Sequence, residues 1–266
     1  MKKIDIRELK EIQLDILQCV HDFCQDNGLR YSLAYGTLIG AVRHHGYIPW
    51  DDDVDIMMPR EDYEKFLLLF NGYKENIVVA ATQLDRAYYA PYANVYNNKT
   101  LLIEHNIDNG GVGIKIDIFP IDSVPEDREK RIRLFNKVEY YKKIICLKNC
   151  NYHRISNLLS RIIAFIIQRF VSFISFSLLL DRLAYKQNNI NNESQLINNI
   201  VWCGAGEKGC FPRSAMANYM EMKFESRSFK VIEGYDVFLK AHYGDYMKFP
   251  PEEDRVPQHG FEAYWK

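Results

Sequence analysis

Asp51, Asp52, Asp53 and Asp55 lie close together in the chain, and Asp53 and Asp55 alternate with the apolar Val54 and Ile56. In an extended segment successive side chains point to opposite faces, so this spacing sets two carboxylates on one face and two apolar groups on the other. Carboxylates that close repel unless something positive sits between them. A divalent metal is the usual answer, because hard cations take carboxylate oxygens and keep open positions for a substrate's phosphates. Asp117 repeats the pattern. In Gly113-Ile-Lys-Ile-Asp-Ile-Phe-Pro120, alternation puts Lys115 and Asp117 on one face of a strand and Ile114, Ile116 and Ile118 on the other. Taken singly, the two segments also read as a solvated acidic loop and an edge-strand ion pair.

Three kinds of metal site can be compared with this spacing. A calcium loop wants Gly at its sixth position and Glu at its twelfth, where this chain has Ile56 and Asp62. An Asp-x-Asp glycosyltransferase site fits Asp53 and Asp55 but is too short a pattern to be specific. A nucleotidyltransferase-type site needs a glycine turn closing a strand, a short helix, an Asp-x-Asp strand and a third carboxylate from a later strand. Here Tyr31 to Tyr35 reads as the first strand and Gly36 as the turn. Residues 37–43 read as a helix whose free N–H groups attract phosphate, and Asp117 as the third carboxylate.

The stretch that begins at Gly36, Gly-Thr-Leu-Ile-Gly-Ala-Val-Arg-His-His-Gly-Tyr-Ile-Pro-Trp-Asp-Asp-Asp-Val-Asp-Ile, and then Pro59-Arg-Glu-Asp-Tyr63, resembles the signature of the LicD family of phosphotransferases. These are relatives of fukutin and fukutin-related protein within the nucleotidyltransferase superfamily. Ile116-Asp-Ile-Phe-Pro-Ile-Asp122 and Tyr243-Gly-Asp-Tyr-Met-Lys-Phe-Pro-Pro251 resemble that family too, and the likeness covers roughly 31–66, 110–125 and 224–261.

The resemblance implies an α+β fold, a nucleotidyltransferase-like mixed β-sheet flanked by helices with an additional helical region. It implies transfer of phosphocholine, or else ribitol or glycerol phosphate, from CDP-choline or another CDP-alcohol. The acceptor would be a sugar hydroxyl of a surface glycan (lipopolysaccharide, teichoic acid or capsule) or its lipid-linked oligosaccharide precursor. Asp53, Asp55 and Asp117 would then hold Mg²⁺ or Mn²⁺, with general-base duty as an alternative for Asp117. Gly36, Thr37, Arg43, Lys115, Asp52 and Arg255 are the candidates for donor binding, and Asp51 and Asp52 for orienting the metal's ligands. A quaternary ammonium is held by ring faces, which makes Tyr35, Trp50 and Tyr92 candidates for an alcohol cage, with core packing as the plainer reading of the tyrosines Tyr88, Tyr89, Tyr92 and Tyr96. Transfer of the nucleotide half, or glycan binding without catalysis, would keep the same fold.

The elements that must position these groups follow from pattern and composition. With 266 residues and 47% hydrophobic content the chain can bury a large core, and its near-zero net charge gives no general affinity for nucleic acid. The reading divides it into a catalytic core at 1–127, a helical insertion at 128–200 and a C-terminal segment at 201–266 that completes the catalytic domain. The six cysteines miss the common zinc spacings and read as reduced thiols. Residues 1–30 lack a signal peptide's apolar centre, so a cytoplasmic protein is expected, with a possible peripheral contact on the inner face of the membrane.

Residues 5–27 predict an amphipathic helix opened by a capping box of Asp5 and Glu8, with Leu9, Ile12, Ile16, Val20 and Phe23 on its buried face. Helices follow at 61–70, 128–148 and 236–243, strand-like pieces at 77–107 and 224–232, and a polar loop at 188–199. Residues 156–183 read as one apolar helix whose polar or small positions, Arg161, Ala164, Gln168, Ser172, Ser175 and Arg182, form a narrow stripe. Docking of that helix on a membrane or another subunit, burial in the protein, and a membrane span are its three readings, the last opposed by Arg169. In the tail, Arg255 and His259 either reach donor phosphate or stand in solvent.

Overall fold

The computed structural model describes residues 1–105, 107, 110–154, 156–170, 173–256 and 260–266. The chain opens with a short strand β1 (Lys2–Ile4) and the helix α1 (Ile6–Asp26). Asp5 caps α1 by accepting from the Glu8 N–H at 2.8 Å. The Glu8 carboxylate does not return to the cap as a capping box would have it. It accepts from Trp265 Nε1 at 2.9 Å and so ties the two ends of the chain together. Leu9, Ile12, Ile16, Val20 and Phe23 are all buried, as their spacing predicts.

The motif region follows as β2 (Ser32–Leu33), α2 (Tyr35–His44), β3 (Asp55–Pro59) and α3 (Arg60–Leu69). α2 ends at His45 in the left-handed region, and a Cβ on Gly40 would meet the Gly46 carbonyl at 2.4 Å. Only glycine lets this helix lie so close to the turn that follows it. Next come β4 (Ile77–Ala80), β5 (Ala93–Asn97), β6 (Thr100–Glu104) and β7 (Lys115–Ser123). The main sheet runs β2-β3-β7-β5-β4, with β3 and β7 parallel and the other pairs antiparallel, which makes it the mixed sheet of an α+β fold. β7 is therefore central, not the edge strand of the plainer reading.

The helical region holds α4 (Arg128–Asn149), α5 (Leu158–Phe170) and α6 (Phe176–Ile190). The single apolar helix expected at 156–183 is thus two helices. Ser175 is the N-cap of α6, its hydroxyl accepting from the Leu178 N–H, so a residue assigned to the polar stripe is instead a start signal. Ser172 lies outside the described residues. Among the described residues no helix is long and apolar enough to cross a membrane.

The polar loop expected at 188–199 is shortened from both sides, by α6 and by β8 (Leu196–Asn198), which pairs with β7. β9 (Phe211–Pro212) pairs with β8. The expected strand at 224–232 is half of a hairpin, β10 (Tyr219–Phe224) with β11 (Arg227–Ile232), because Glu225 turns the chain at φ 56°. α7 (Tyr235–Tyr243) and β12 (Phe261–Trp265) complete the chain. β12 lies between β1 and β6 in a second small sheet.

One apolar cluster fills the space between α1, α3, the main sheet and the hairpin, and a second gathers Leu134, Phe135, Val138, Leu180 and Ala184 against Phe119 and Tyr92. A buried ion network ties the second to the first. Arg60, its side chain 2% exposed, grips Asp122 of β7 with Nε and Nη2 at 2.7 Å each, and donates from Nη1 to Asp181 of α6 at 2.8 Å. Removing one partner from such a network leaves uncompensated buried charge. Arg60→Leu is therefore expected to cost about 3–5 kcal/mol of stability, measured as a lowered urea midpoint at unchanged slope. A loss below about 1 kcal/mol would show that the network does not tether α6 to the sheet.

Candidate functional site

Parallel pairing of β3 with β7 sets Asp55 opposite Asp117, and antiparallel pairing of β5 with β7 sets Asn94 opposite the same Asp117. The three residues form one row across the centre of the sheet. Asn94 is fully buried, and its Nδ2 donates to Asp117 Oδ1 at 2.5 Å. Its Oδ1 accepts from the Tyr88 hydroxyl and, at 3.0 Å, from the Tyr89 hydroxyl. Lys115 Nζ donates to the Tyr89 oxygen at 2.8 Å and lies 3.5 Å from Asp117 and 3.4 Å from Glu104. Burial works against the Lys115 charge, but Asp117 above all, with Tyr89, Tyr92 and Glu104, outweighs it and holds the ammonium well above its usual range.

Asp51 and Asp53 precede β3, in irregular chain, yet the alternation continues there: Asp52 and Val54 are buried while Asp51, Asp53 and Asp55 are partly open. Burial raises Asp51 to about 8, helped by Asp53 and Asp52. Burial, then Asp53, Asp117 and Asp51, push Asp55 well above the usual carboxylate range. Several acids here crowd into a space where they cannot all ionise without a cation.

Gly36, expected as a turn closing the strand, lies inside the first turn of α2, which begins at Tyr35. A Cβ on Gly36 would lie 2.6 Å from Asp51 Oδ2, so the glycine admits the Asp51 carboxylate to the start of α2. Thr37, expected at donor phosphate, is buried, and its hydroxyl accepts the Asp55 N–H at 2.9 Å. It positions the head of β3 instead. Asp52 is held through its carbonyl, which accepts from Gln13 Nε2 at 3.0 Å.

Asp53 lines two cavities. The smaller, about 250 Å³, also takes in Asp52, Asp117, Lys115, Glu104, Tyr89, Tyr92 and Trp202. The larger, about 570 Å³, is formed by Gly36, Arg43, Trp50, Asp51 and Asp55 on one side and by Tyr243, Lys248 and Phe249 of the C-terminal segment on the other. Arg43 donates to the Tyr246 and Lys248 carbonyls at 2.8 and 3.3 Å and covers the Phe249 ring at 4.6 Å. Arg255 stands over Trp50 at 5.8 Å and over Phe249 at 5.4 Å. His259 lies outside the described residues.

The three cage candidates do not share one cavity. Tyr35 and Trp50 line the larger cavity and Tyr92 the smaller one, where it packs on Trp202 at 5.6 Å. Trp50 already has a guanidinium over its ring, and the Tyr35 hydroxyl accepts from Asn199 at 3.0 Å.

The acidic side chains that line this space offer carboxylate oxygens, which suit Mg²⁺ or Mn²⁺ rather than a softer metal. Among the described residues, however, no three His, Cys, Asp or Glu side chains are arranged to hold a metal ion as they stand. Asp117 is turned to Asn94 and Lys115, while Asp51, Asp53 and Asp55 crowd together. Sequence reasoning missed Asn94, Gln13, Glu104, Trp202 and Tyr243. Asn94 had a readable signal, since Ala93-Asn-Val-Tyr-Asn97 alternates like a strand with Asn94 and Tyr96 on one face.

Residues 28–152 match the family described as LicD/FKTN/FKRP, nucleotidyltransferase domain. The whole chain is similar to the lipopolysaccharide cholinephosphotransferase LicD of Haemophilus influenzae, 31% identical over 268 positions that cover 99% of each chain. Shorter stretches are similar to uncharacterized proteins of Rickettsia typhi, 37% identical over 28% of this chain and 25% of that one, and of Rickettsia prowazekii, 41% identical over 23% and 24%. With a matching domain around the Asp55–Asp117 row and a full-length relative at this identity, the chain belongs to the LicD/FKTN/FKRP family.

Proposed function

We propose that this chain transfers phosphocholine, or else ribitol or glycerol phosphate, from a cytidine diphosphate donor to a sugar hydroxyl of a surface glycan or its lipid-linked precursor. The observation that carries the reading is end-to-end likeness to a lipopolysaccharide cholinephosphotransferase. The geometry supports it, because Asp53 lines both of two unlike cavities. Trp50, Phe249, Arg43 and Lys248 offer the larger cavity rings for a base and cations for phosphates. The smaller one offers a quaternary ammonium the Tyr92 ring and the Asp52 carboxylate, while Lys115 already stands over Tyr89 at 5.5 Å and beside Glu104, and Lys142 stands over Trp202 at 5.4 Å.

In this reading the acceptor hydroxyl oxygen bonds to the phosphorus bearing the alcohol while the bond to the bridging oxygen breaks and cytidine monophosphate leaves. Asp117, held in orientation by Asn94, accepts the hydroxyl proton. Asp53 and Asp55 would hold Mg²⁺ or Mn²⁺, which when bound neutralises charge growing on the leaving phosphate. Arg43 and Lys115 add fixed positive charge on the two sides.

Incubation with the CDP esters of choline, ribitol and glycerol, followed by product analysis, tests the reading. Cytidine monophosphate is expected, from the choline ester fastest; transfer of the cytidylyl half with release of the free alcohol phosphate, or no turnover, would contradict it. Asp53→Asn and Asp55→Asn are expected to lower turnover by several orders of magnitude with the fold intact. Asp117→Asn should cost about 10²–10⁴-fold.

Proton linkage gives a second check. Asp51 and Asp55 have raised folded-state pKa values, so they keep protons in the fold that the unfolded chain has lost above about pH 4. Stability without divalent cations should therefore fall as pH rises from about 4 to about 8. Thermal melting should show that decline, Asp51→Asn should flatten it, and Mg²⁺ at pH 8 should reverse it by binding only the folded state. A flat profile with no response to Mg²⁺ would contradict the metal assignment.

A further inference from the structure

On α5 the amphipathic order is inverted. Ala164 is buried, and Gln168 Nε2 donates to the Leu147 and Cys150 carbonyls at 2.9 and 2.8 Å, so the small and polar positions face the protein. The apolar positions face out: Leu159 is 68% exposed, Phe170 67%, and Ile162, Phe165 and Ile166 about half, with Phe173 beyond the helix at 83%. At 100° per residue the five helical positions fall within an arc of about 140°. An apolar face of this kind on a soluble surface marks a place where something else covers it.

Charge indicates what that is. From Tyr140 to Leu180 the chain has no Asp or Glu and six Lys or Arg. Arg161 and Arg169 on α5 are both exposed, Arg161 beside the apolar arc and Arg169 within it in the last turn. Long cationic side chains so placed can lay their stems on an apolar layer and reach phosphates with their heads. A second copy packed on this face would bring the same cations against these with no acid in either segment, whereas an anionic lipid surface neutralises them.

We propose that α5 and Phe173 dock this protein on an anionic bilayer, with the apolar arc in the headgroup boundary. The inward side of the same helix has a place in the chemistry. Gln168 lines a cavity of about 790 Å³ together with Tyr88, Tyr89 and Glu104, and Tyr89 and Glu104 also line the smaller cavity that holds Asp117. Docking would bring a lipid-linked acceptor to that passage. This last step rests on the reading under Proposed function; the docking itself does not.

Sedimentation of the full-length protein with vesicles tests it, and neither donor nor turnover is needed. Wild-type protein is expected to pellet with vesicles of phosphatidylglycerol and phosphatidylcholine in equal parts, and to stay largely in solution with phosphatidylcholine alone. Leu159→Gln combined with Ile166→Gln should lower the bound fraction about ten-fold, with unchanged circular dichroism and unchanged cytidine monophosphate release. Arg161→Glu with Arg169→Glu should weaken binding to the anionic vesicles as well.

Wild-type protein that stays in the supernatant with anionic vesicles would overturn the proposal, as would glutamine variants that bind as well as wild type. A dimer by light scattering that the glutamine variants dissociate, without vesicle binding, would assign the face to a second copy and overturn it too. Vesicle binding without hydrolysis of a CDP ester would leave the docking intact and sink the catalytic reading.

Discussion

Parallel pairing of β3 with β7 is the constraint from which the site follows. It holds Asp55 beside Asp117 at the centre of a sheet whose other face is packed with Val54, Ile56, Ile116 and Ile118, all essentially without solvent contact. Two acids fixed on neighbouring strands above an apolar layer cannot move apart, and Asp51 and Asp53 are brought in from the preceding loop. The cost appears as carboxyl groups that hold their protons far above the usual range. Groups so perturbed in ionisation cluster at functional sites.

Much of the surrounding structure acts on that row. Thr37 takes the Asp55 N–H, Gly36 makes room for Asp51, and Gln13 reaches from α1 to the Asp52 carbonyl. Asn94 locks Asp117 from the opposite strand, and Tyr88 and Tyr89 lock Asn94. Most of the residues that make the motif string distinctive therefore touch other protein groups. The helix, turn and strand hold one another so that a few carboxylates keep their places. Arg60, inside the same string, ties the sheet to the helical region through Asp122 and Asp181.

Local pattern made a good part of this legible. The alternation around Asp53 and Asp117, the face of α1, and a strand followed by a helix before β3 all follow from short-range pattern and are present, although Gly36 sits inside that helix and not in a turn ahead of it. What was not legible depends on partners far away in the chain. Thr37 reads as a phosphate ligand until Asp55 is seen to use its hydroxyl. Glu8 reads as a capping box until Trp265 arrives from the other end of the chain. The apolar run at 156–183 carries enough hydrophobicity for one long helix, but Ser175 divides it, and its outward apolar face depends on Gln168 finding two carbonyls at the end of α4. The cage candidates parted for the same reason, since Tyr35 and Trp50, close to the motif in sequence, line one cavity and Tyr92, far along the chain, lines another.

The central claim is that the crowded carboxylates of the β3–β7 row are a divalent cation site, and crystals grown with Mn²⁺ test it most directly. Anomalous scattering recorded at the manganese edge should show one or two peaks bonded to Asp55 together with Asp53 or Asp117. The absence of any peak there at saturating Mn²⁺, with Lys115 still seated on Asp117, would contradict the account.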